Sequence, residues 1–278
     1  MPSFSTPEPV QLTVRNGSGD VVLEASARAD TTVDVEPENP HRDIDVDFAE
    51  RTKVDHTDGR VLVEVPKPGS DGSAGSVVVR VALPEGSDAK VKTASADVQA
   101  TGRLGDVDVA TVSGEVSLEE VGALRVNTAN GDVQCSVAGG DVKVDTASGD
   151  VSVLEIAGRA EVSTASGAIE IRQVGGDLKL NSVSGDASIG TAHGSVSAKT
   201  ASGDVAVKSI EQGRFSAYGA SGDVMVGVAA GTAAWLDVNS LSGDVMSRLE
   251  EADLPGPDEK TVEIHVRTLS GNVAVTRA

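Results

Sequence analysis

A short phrase recurs through the chain and constrains its fold more than any other feature of the sequence. It reads TANGDV from Thr128, TASGDV from Thr146 and from Thr200, and SLSGDV from Ser240. Its glycine recurs at steps of 17 or 18 residues, at Gly114, Gly131, Gly149, Gly167, Gly185 and Gly203. A second glycine series lies between these positions, at Gly105, Gly122, Gly140, Gly158, Gly176 and Gly194. The basic repeat is therefore about nine residues long, and two alternating versions of it make about eighteen.

Each nine-residue repeat carries the alternation of a β-strand. Apolar residues stand two and four positions after the glycine, as Val142 and Val144 do, and a polar residue such as Lys143 stands between them. Alternation with period two and many β-branched residues predicts strands with one buried face. A strand of about five residues and a glycine turn in every repeat leave no room for a helix. The repeats are therefore predicted to be β-structure throughout.

The two versions of the repeat differ at the seventh position after the glycine. This position is mostly alanine before the S-G-D turn and mostly larger before the other turn, namely Ala129, Ala147, Ala165, Ala201 and Ala220 against Val121, Val137, Ile156, Val174 and Ile210. Two different corners predict coils of about 18 residues whose equivalent positions stack about 4.7–4.9 Å apart. The predicted fold class is all-β, a single-stranded parallel β-solenoid whose coils each contain two nine-residue repeats. We expect the corner alanine to point inward and the corner glycine to permit positive φ.

The regular rhythm occupies only part of the chain. Residues 1–85 are predicted to form an irregular β cap or a small lobe, residues 86–247 the solenoid repeats, and residues 248–278 a charged loop and capping strands. In the first segment, strand-like runs are interrupted by the loops EPENPHRD and KPGSDGSAGS; the runs are 10–14, 21–25, 32–35, 61–65 and 77–83. The insertion RLEEADLPGPDEK breaks the rhythm near the end. Because charges and prolines oppose edge pairing, we expect covered ends and a monomer or small closed homo-oligomer joined side to side.

Two stretches of the chain resemble a known family. The run VRVALPEGSDAKVKTASADV from Val79 to Val98, and the S-G-D-V corners through Gly243, resemble bacterial β-strand-repeat proteins called "putative adhesins", a domain of unknown function. The resemblance covers nearly the whole chain and rests on structural motifs. It implies a single-stranded β-solenoid and carries no catalytic residues over to this chain. Many members have an export signal or a membrane anchor, but MPSFSTPEPVQLTV has neither pattern, so a cytoplasmic protein without membrane insertion is expected.

Charge and composition exclude several classes of partner. The formal net charge is -20, from 43 acidic and 23 basic residues, and such a surface repels nucleic acid and anionic lipid. Aromatic residues make up 2% of the chain, which argues against sites that stack sugars or bases. The single cysteine allows no intrachain disulfide. A protein partner is left as the expected class, and its identity is unknown.

An acidic residue follows the corner glycine in most coils. The row comprises Glu115, Asp132, Asp150, Asp186, Asp204, Asp223 and Asp244, with a gap at Ala168. Two interpretations are open: turn aspartates in solvent, or a row of oxygen ligands for a cation such as Ca²⁺. Calcium-binding β-roll repeats have two turn glycines around the aspartate, whereas this corner has one. The sequence therefore favours solvated turn aspartates and no metal site, with Asp132, Asp150, Asp186, Asp204 and Asp223 as the cation-row alternative.

A row of hydroxyl side chains and a few nucleophilic residues complete the candidates. The hydroxyl row comprises Thr111, Thr128, Thr146, Thr164, Ser182 and Thr200, and we expect it to face outward, either as ordinary strand-end residues or as a water-ordering surface. The histidines show no metal-ligand spacing and stand at His41, His56, His193 and His265. Cys135 falls at an inward strand position, which predicts an inert core thiol.

No arrangement of these residues is typical of an active site, and regular short coils leave no long loops to enclose a cleft. We therefore expect no enzyme and no cofactor. The function predicted from the sequence is a non-catalytic binding or scaffold protein that presents a flat acidic surface to a protein partner. The alternative is a cation- or surface-binding module, adhesin-like, that uses the aspartate or threonine and serine rows.

Overall fold

The computed structural model describes residues 2–69, 74–249 and 260–278, and the chain forms two compact units, Met1–Gly139 and Gly140–Ala278. The predicted fold class is confirmed: the protein is an all-β parallel solenoid. The boundaries predicted for its segments, at residues 85 and 247, stay a prediction. Most of the insertion RLEEADLPGPDEK, and residues 70–73 of the second predicted loop, lie outside the described ranges.

The first unit contains eleven described strands and one helix. They are β1 Ser3–Ser5, β2 Gln11–Ser26, β3 Asp30–Pro37, α1 Asp43–Arg51, β4 Lys53–Thr57, β5 Arg60–Glu64, β6 Val77–Pro84, β7 Asp88–Arg103, β8 Val107–Ala110, β9 Val116–Val121, β10 Leu124–Asn127 and β11 Val133–Ala138. The long strands β2 and β7 pair in parallel over most of their length, from Gln11 with Asp88 to Glu24 with Thr101. On one side β8 and β9 continue the parallel stack, followed by β10 and β11.

Antiparallel strands cover the other side of this stack. There β2 pairs in parallel with β5 and β6, β3 and β4 then pair antiparallel with β6 and β5, and β1 pairs with β3. The helix α1 is not predicted from the sequence, and its first residue, Asp43, is the last residue of the predicted loop EPENPHRD. Its acidic residues Asp43 and Asp45 stand in the first turn and Arg51 in the last, which suits the helix dipole. Phe48 is the buried apolar residue of the helix.

The second unit is the more regular one. Its strands are β12 Val142–Ser148, β13 Val151–Ile156, β14 Ala160–Ser166, β15 Ile169–Val174, β16 Leu178–Ser184, β17 Ala187–Ala192, β18 Val196–Ser202, β19 Val205–Ile210, β20 Gly213–Ser221, β21 Val224–Val228, β22 Thr232–Ser240, β23 Val245–Ser247, β24 Lys260–Ser270 and β25 Val273–Arg277. Strands from alternate repeats form two parallel sheets. Val142 pairs with Ala160, which pairs with Leu178, so one coil is 18 residues as predicted.

The predicted alternation explains the core of this unit. Val144, Val162 and Ile171 are fully buried, as are the equivalent apolar residues of most coils. Burying each such side chain contributes about 1.5–3 kcal/mol, so stacked coils are stable together where one coil is not. The last coil, formed by β22 and β23, is the exception, because its inward residues are only partly covered.

The order of the final coils departs from the order of the chain. Strand β24 pairs with β20 on one side and with β22 on the other, and β25 lies in the same way between β21 and β23. The last two strands of the chain are therefore inserted between two earlier coils. The sequence predicted that they cap the stack, and that position was wrong. The two strands supply a complete coil that pairs in register with the coils on both sides of it. Its inward residues Val262, Ile264 and Val266 are buried between those coils.

The corners correct the predicted direction of two side chains. Thr128, Thr146 and Thr164 point inward and are buried, whereas the following alanines, such as Ala147, are exposed or half-exposed. The strand alternation simply continues from Val142 and Val144 to Thr146. At the other corner the buried position lies seven after the glycine, as at Ile156, although in one coil Ala138 rather than Val137 occupies it.

Two of the inward threonines, Thr128 and Thr164, bond the turn that follows them, whereas the described residues offer no hydrogen-bond partner to the hydroxyls of Thr111, Thr146 and Thr200. Thr128 Oγ1 accepts a hydrogen bond from the backbone N–H of Gly131, at 3.1 Å, and Thr164 Oγ1 donates one to the carbonyl of Ser166, at 3.0 Å. These local bonds satisfy buried hydroxyls where the strand ends. The hydroxyl row is therefore a structural feature of the inner corner, and the predicted outward direction was wrong.

Glycine is required at the corner mainly because the coils approach each other closely. In the second unit each corner glycine lies on the backbone of its neighbour: a Cβ on Gly185 would overlap the carbonyl oxygen of Gly167, and one on Gly203 would overlap that of Gly185. The same column continues through Gly222 and Gly271 to Gly243, which follows the inserted order of the strands. Positive φ, at Gly203 for example, is a second requirement in part of the column.

Candidate interaction surface

The aspartates that follow the corner glycines bind backbone. Asp186 Oδ1 accepts the N–H of Asp204 at 2.9 Å, and Asp204 Oδ1 accepts the N–H of Asp223 at 2.7 Å. The series continues to Asn272 and Asp244, at 2.7 and 3.1 Å. Each carboxylate or amide oxygen thus satisfies a donor of the next coil, where the strand pairing is interrupted by the turn. We call this series the corner ladder.

Two further aspartates, Asp150 and Asp97, make the same contact. Asp150 Oδ1 accepts the N–H of Ala168 at 2.8 Å, and alanine then interrupts the ladder because it has no side-chain acceptor. In the first unit, Asp97 accepts the N–H of Glu115 at 2.9 Å, and Asp132 directly precedes Val133, the partner of Val116 in the next coil.

A second corner ladder was missed in the sequence. Asp141 Oδ1 accepts the N–H of Arg159 at 2.8 Å, and Asp177 Oδ1 accepts that of Ser195 at 3.0 Å. The signal was present, since G-D-V also occurs at this corner after Gly140. These contacts give the aspartates a backbone role that does not need a cation. Within residues 2–69, 74–249 and 260–278, no group of three or more His, Cys, Asp or Glu side chains is arranged to hold a metal ion.

Cys135 lies where the sequence placed it. Its side chain is buried in β11, and burial raises the pKa of the thiol to about 11, although a contact of Sγ with the carbonyl of Val137 acts weakly in the opposite direction. A thiol with so high a pKa is almost wholly protonated at neutral pH, and the thiolate is the nucleophilic form. The residue therefore belongs to the core.

Outward side chains of successive coils form ion pairs across the strands. Glu161 lies between Lys143 and Lys179, with carboxylate–Nζ distances of 3.1 and 2.7 Å. Hydrogen bonds from Lys179 and Lys143 lower the pKa of Glu161. This stack is exposed, so its contribution to stability is small and depends on salt.

The outward side of β20, β24 and β22 has a different composition. It carries the two exposed aromatic side chains of the described chain, Tyr218 and Trp235, which are 49% and 58% exposed. Around them lie two arginines, two carboxylates and a histidine. We call this surface the Trp235 face, and it comprises Arg214, Tyr218, Trp235, Asp237, Glu263, His265 and Arg267.

Ion pairs hold the charged side chains of the Trp235 face in place. Arg267 makes a bidentate contact with Asp237, at 2.9 Å from Nη1 to Oδ1 and 2.6 Å from Nη2 to Oδ2. Arg214 donates from Nε and Nη2 to Glu263 Oε2, at 3.0 and 2.6 Å. These arginines lower the pKa of Asp237 and of Glu263. Two arginines against two carboxylates leave the face balanced in charge on a chain whose net charge is -20.

His265 lies at the centre of the Trp235 face. Its ring centroid is 5.2 Å from that of Trp235 at an interplanar angle of 56°, and its Nδ1 is 3.4 Å from Asp237 Oδ2. The ring contact places the indole of Trp235 beside the imidazole of His265, among the charged side chains of the face. This cluster could not be predicted from the sequence, because Asp237 and His265 become neighbours only through the insertion of β24 beside β22.

A shallow open groove lies at the corner beside the Trp235 face. Its volume is about 650 Å³, and it shares Arg214 and Glu263 with the face. Lys260 on its rim is 2.7 Å from Glu211, which also lies 3.0 Å from His193 Nδ1. Hydrogen bonds from Lys260 and then His193 lower the pKa of Glu211. The groove and the face together offer aromatic, cationic and anionic groups at one end of the second unit.

Among the described residues, no helix is long and apolar enough to span a membrane.

Comparisons with known proteins find a matching family model and several similar solved structures. A family model described as Toastrack DUF4097 matches residues 10–276. Among solved structures, the chain is similar to a "putative adhesin" from Parabacteroides merdae, with 12% identity, a TM-score of 0.37 and coverage of 99% of this chain and 94% of that one. For a "putative adhesin" from Bacteroides fragilis the values are 14%, 0.33, 99% and 95%. For a "putative lipid binding protein" from Parabacteroides distasonis they are 10%, 0.32, 100% and 95%. No curated protein matches the chain.

Proposed function

Since the chain belongs to the Toastrack DUF4097 family, we propose that it is a non-catalytic binding protein that recognises a protein partner through the Trp235 face. The observation that carries this proposal is the composition of that face. Protein interfaces are enriched in Tyr, Trp and Arg, and such residues dominate binding energies. On this chain the two exposed aromatics of the described residues lie on one face, next to two arginines.

Rigidity also supports a binding role. The face is built on three paired strands, and both arginines are fixed by ion pairs before any partner arrives. Side chains that are already ordered lose little conformational freedom on binding. The paired strands hold the outward side chains of the Trp235 face at regular spacing. The groove at the corner beside the face gives a second point of contact.

Electrostatics modify the surface predicted from the sequence. An acidic contact surface would attract only basic partners, whereas the Trp235 face is balanced and can approach a partner of either charge. The acidic remainder of the chain then disfavours contact elsewhere. The proposed contact is therefore the balanced face rather than an acidic one. A cytoplasmic location stays a prediction.

The test compares two double variants in capture from native lysate. Tyr218→Ala with Trp235→Ala removes both exposed aromatics of the face, and Leu154→Ala with Val183→Ala removes two exposed apolar side chains elsewhere on the same unit. We expect a partner that the wild type and the control capture, and that binds the aromatic variant at least about tenfold more weakly when purified, since a lost hot spot costs about 2 kcal/mol or more. Equal binding by both variants would contradict the proposal, provided that their melting temperatures match the wild type.

A further inference from the structure

The last coil of the second unit ends in an open sheet edge. Strand β22 pairs with β24 and strand β23 with β25, and no other strand of residues 2–69, 74–249 and 260–278 pairs with them. An open edge offers unpaired backbone donors and acceptors to another strand. In the first unit, by contrast, the outer parallel strands β5 and β6 are covered by the antiparallel strands β4 and β3.

The open edge also exposes apolar residues that belong to the core. Leu236 and Val238 point inward but are only partly buried, although their partners Ile264 and Val266 are fully buried. On β23, Val245 is 50% exposed, although its partner Val273 is buried. The end of the coil stack is therefore an apolar surface framed by backbone polar groups, which is the composition of a strand-pairing site.

The edge strand lacks the features that normally prevent pairing. Natural edge strands are protected by lysine, proline, bulges or inward-pointing charges. The sequence of β22, TAAWLDVNS, contains one charged residue, Asp237, and both of its carboxylate oxygens are engaged by Arg267. The net charge of -20 opposes contact between copies, but β22 itself adds no unpaired charge to that repulsion.

We propose that this edge binds a second copy of the chain, with the two β22 strands antiparallel about a two-fold axis at Leu236. Leu236 is the middle residue of Thr232–Ser240, so this register pairs the whole strand. It also keeps inward residues opposite inward residues and places Ala234 of each copy opposite Val238 of the other. A register centred on Asp237 would place two carboxylates face to face, which is unfavourable.

A two-fold contact of this kind closes on itself. Both copies use the same edge, so the contact occupies it in each of them and the assembly stops at two copies. The other strands that pair on one side only, β1 and β4, are short, and β4 carries Lys53 and Asp55, which protect its edge. The nine-residue strand spans about 30 Å, and two packed sheets with their side chains are about 20 Å thick. The contact then buries roughly 600 Å² per copy, near the lower limit for specific interfaces. The dimer is joined end to end, whereas the sequence predicted side-to-side contact.

The first test is the mass of the protein by sedimentation equilibrium over a wide range of concentration. We expect a mass that rises to twice the 28.1 kDa of one chain and no further. Leu236→Lys and, separately, Val245→Lys place a charge on the edge and should give monomers. Val183→Lys adds the same charge at an exposed corner and should remain dimeric. A wild type that stays monomeric, or a dimer that survives both edge variants with folded circular dichroism spectra, would overturn the proposal.

The second test fixes the register by cross-linking. Leu236→Cys places two thiols opposite each other at the two-fold axis, where directly paired residues have the Cα separation that a disulfide requires. Native Cys135 is buried and does not compete. Mild oxidation should convert this variant to a covalent dimer and leave Val183→Cys a single chain on a denaturing gel. Equal cross-linking of the two variants would contradict the two-fold contact.

Discussion

At the scale of single residues, the threonine, the glycine and the aspartate of the T-A-S-G-D-V repeat each have a different structural role. The threonine points inward, and at Thr128 it bonds its own turn, whereas the glycine permits two coils to approach and the aspartate accepts a backbone N–H of the next coil. The phrase recurs because most neighbouring coils meet through the glycine and the aspartate. Function must then be sought where the outward residues differ from coil to coil.

Gly185 tests the close approach of the coils. Its φ is not in the left-handed region, so Gly185→Ala acts only through the overlap of the new Cβ with the carbonyl of Gly167. We expect a loss of at least about 2 kcal/mol in the free energy of unfolding, because backbone must shift to accept the methyl group. Gly219→Ala is the control: its Cβ would lie 3.7 Å from the nearest atom, and we expect a change within about 0.5 kcal/mol. Urea unfolding measures both, and similar losses would contradict the steric explanation.

Asp204 tests the corner ladder. Asp204→Ala removes the acceptor of the Asp223 N–H and should cost about 1 kcal/mol of unfolding free energy. Asp204→Asn retains an acceptor oxygen, as native Asn272 does for Asp244, and should cost clearly less. The comparison is made by urea unfolding without added divalent cations. If Asn and Ala are equally destabilising, the carboxylate acts through its charge and not as an acceptor.

At the scale of strands, neighbouring coils also interact through their outward side chains. The stack of Lys143, Glu161 and Lys179 alternates in charge along one sheet, so each cation lies beside an anion of the next coil. Like charges in the same register would repel. The composition of each strand face is thus tied to that of the strands on both sides.

The pH dependence of Glu161→Gln tests this stack. Because the folded pKa of Glu161 is lowered, its ionised form stabilises the fold above the usual glutamate pKa, and that stability is lost as pH falls through the folded pKa. The wild type should therefore melt at a higher temperature than Glu161→Gln at pH 7, by a small margin that shrinks below about pH 4. Thermal melts at several pH values measure the margin. A difference that is constant, or that grows in acid, would be inconsistent with the ion pairs.

The sequence alone is sufficient to predict the repeat, but it is insufficient to predict which side chains meet on the surface of the solenoid. Alternation and glycine spacing are local signals, and they predicted the 18-residue coil and the buried position of Cys135. The inward direction of Thr146 was also available, since it continues the alternation of Val144, but its polarity argued against burial. Helix α1 lies outside the repeat, and its short amphipathic segment resembled a loop. The insertion of β24 depends on pairing between distant segments, which no local pattern reveals.

At the scale of the whole molecule, the order of the strands produces the candidate site. Had β22 followed β20 directly, Asp237 would lie beside Ser216, and neither His265 nor Arg267 would contact it. The insertion of β24 places Arg267 between Tyr218 and Asn239 and His265 beside Asp237. The surface that we propose for binding therefore exists only if the chain leaves its sequential order.

The most direct test of this claim is a pair of distances between spin labels in the second unit. Ser163→Cys is labelled together with Arg267→Cys in one sample and with Asn239→Cys in another, while native Cys135 stays buried and unlabelled. The pairing places Arg267 four strands from Ser163 and Asn239 five, so the distances should be about 19 Å and about 24 Å. The result that supports the account is a longer distance to Asn239 than to Arg267 by pulsed electron spin resonance. The reverse order would show that the coils follow the sequence and would contradict the assembly of the Trp235 face.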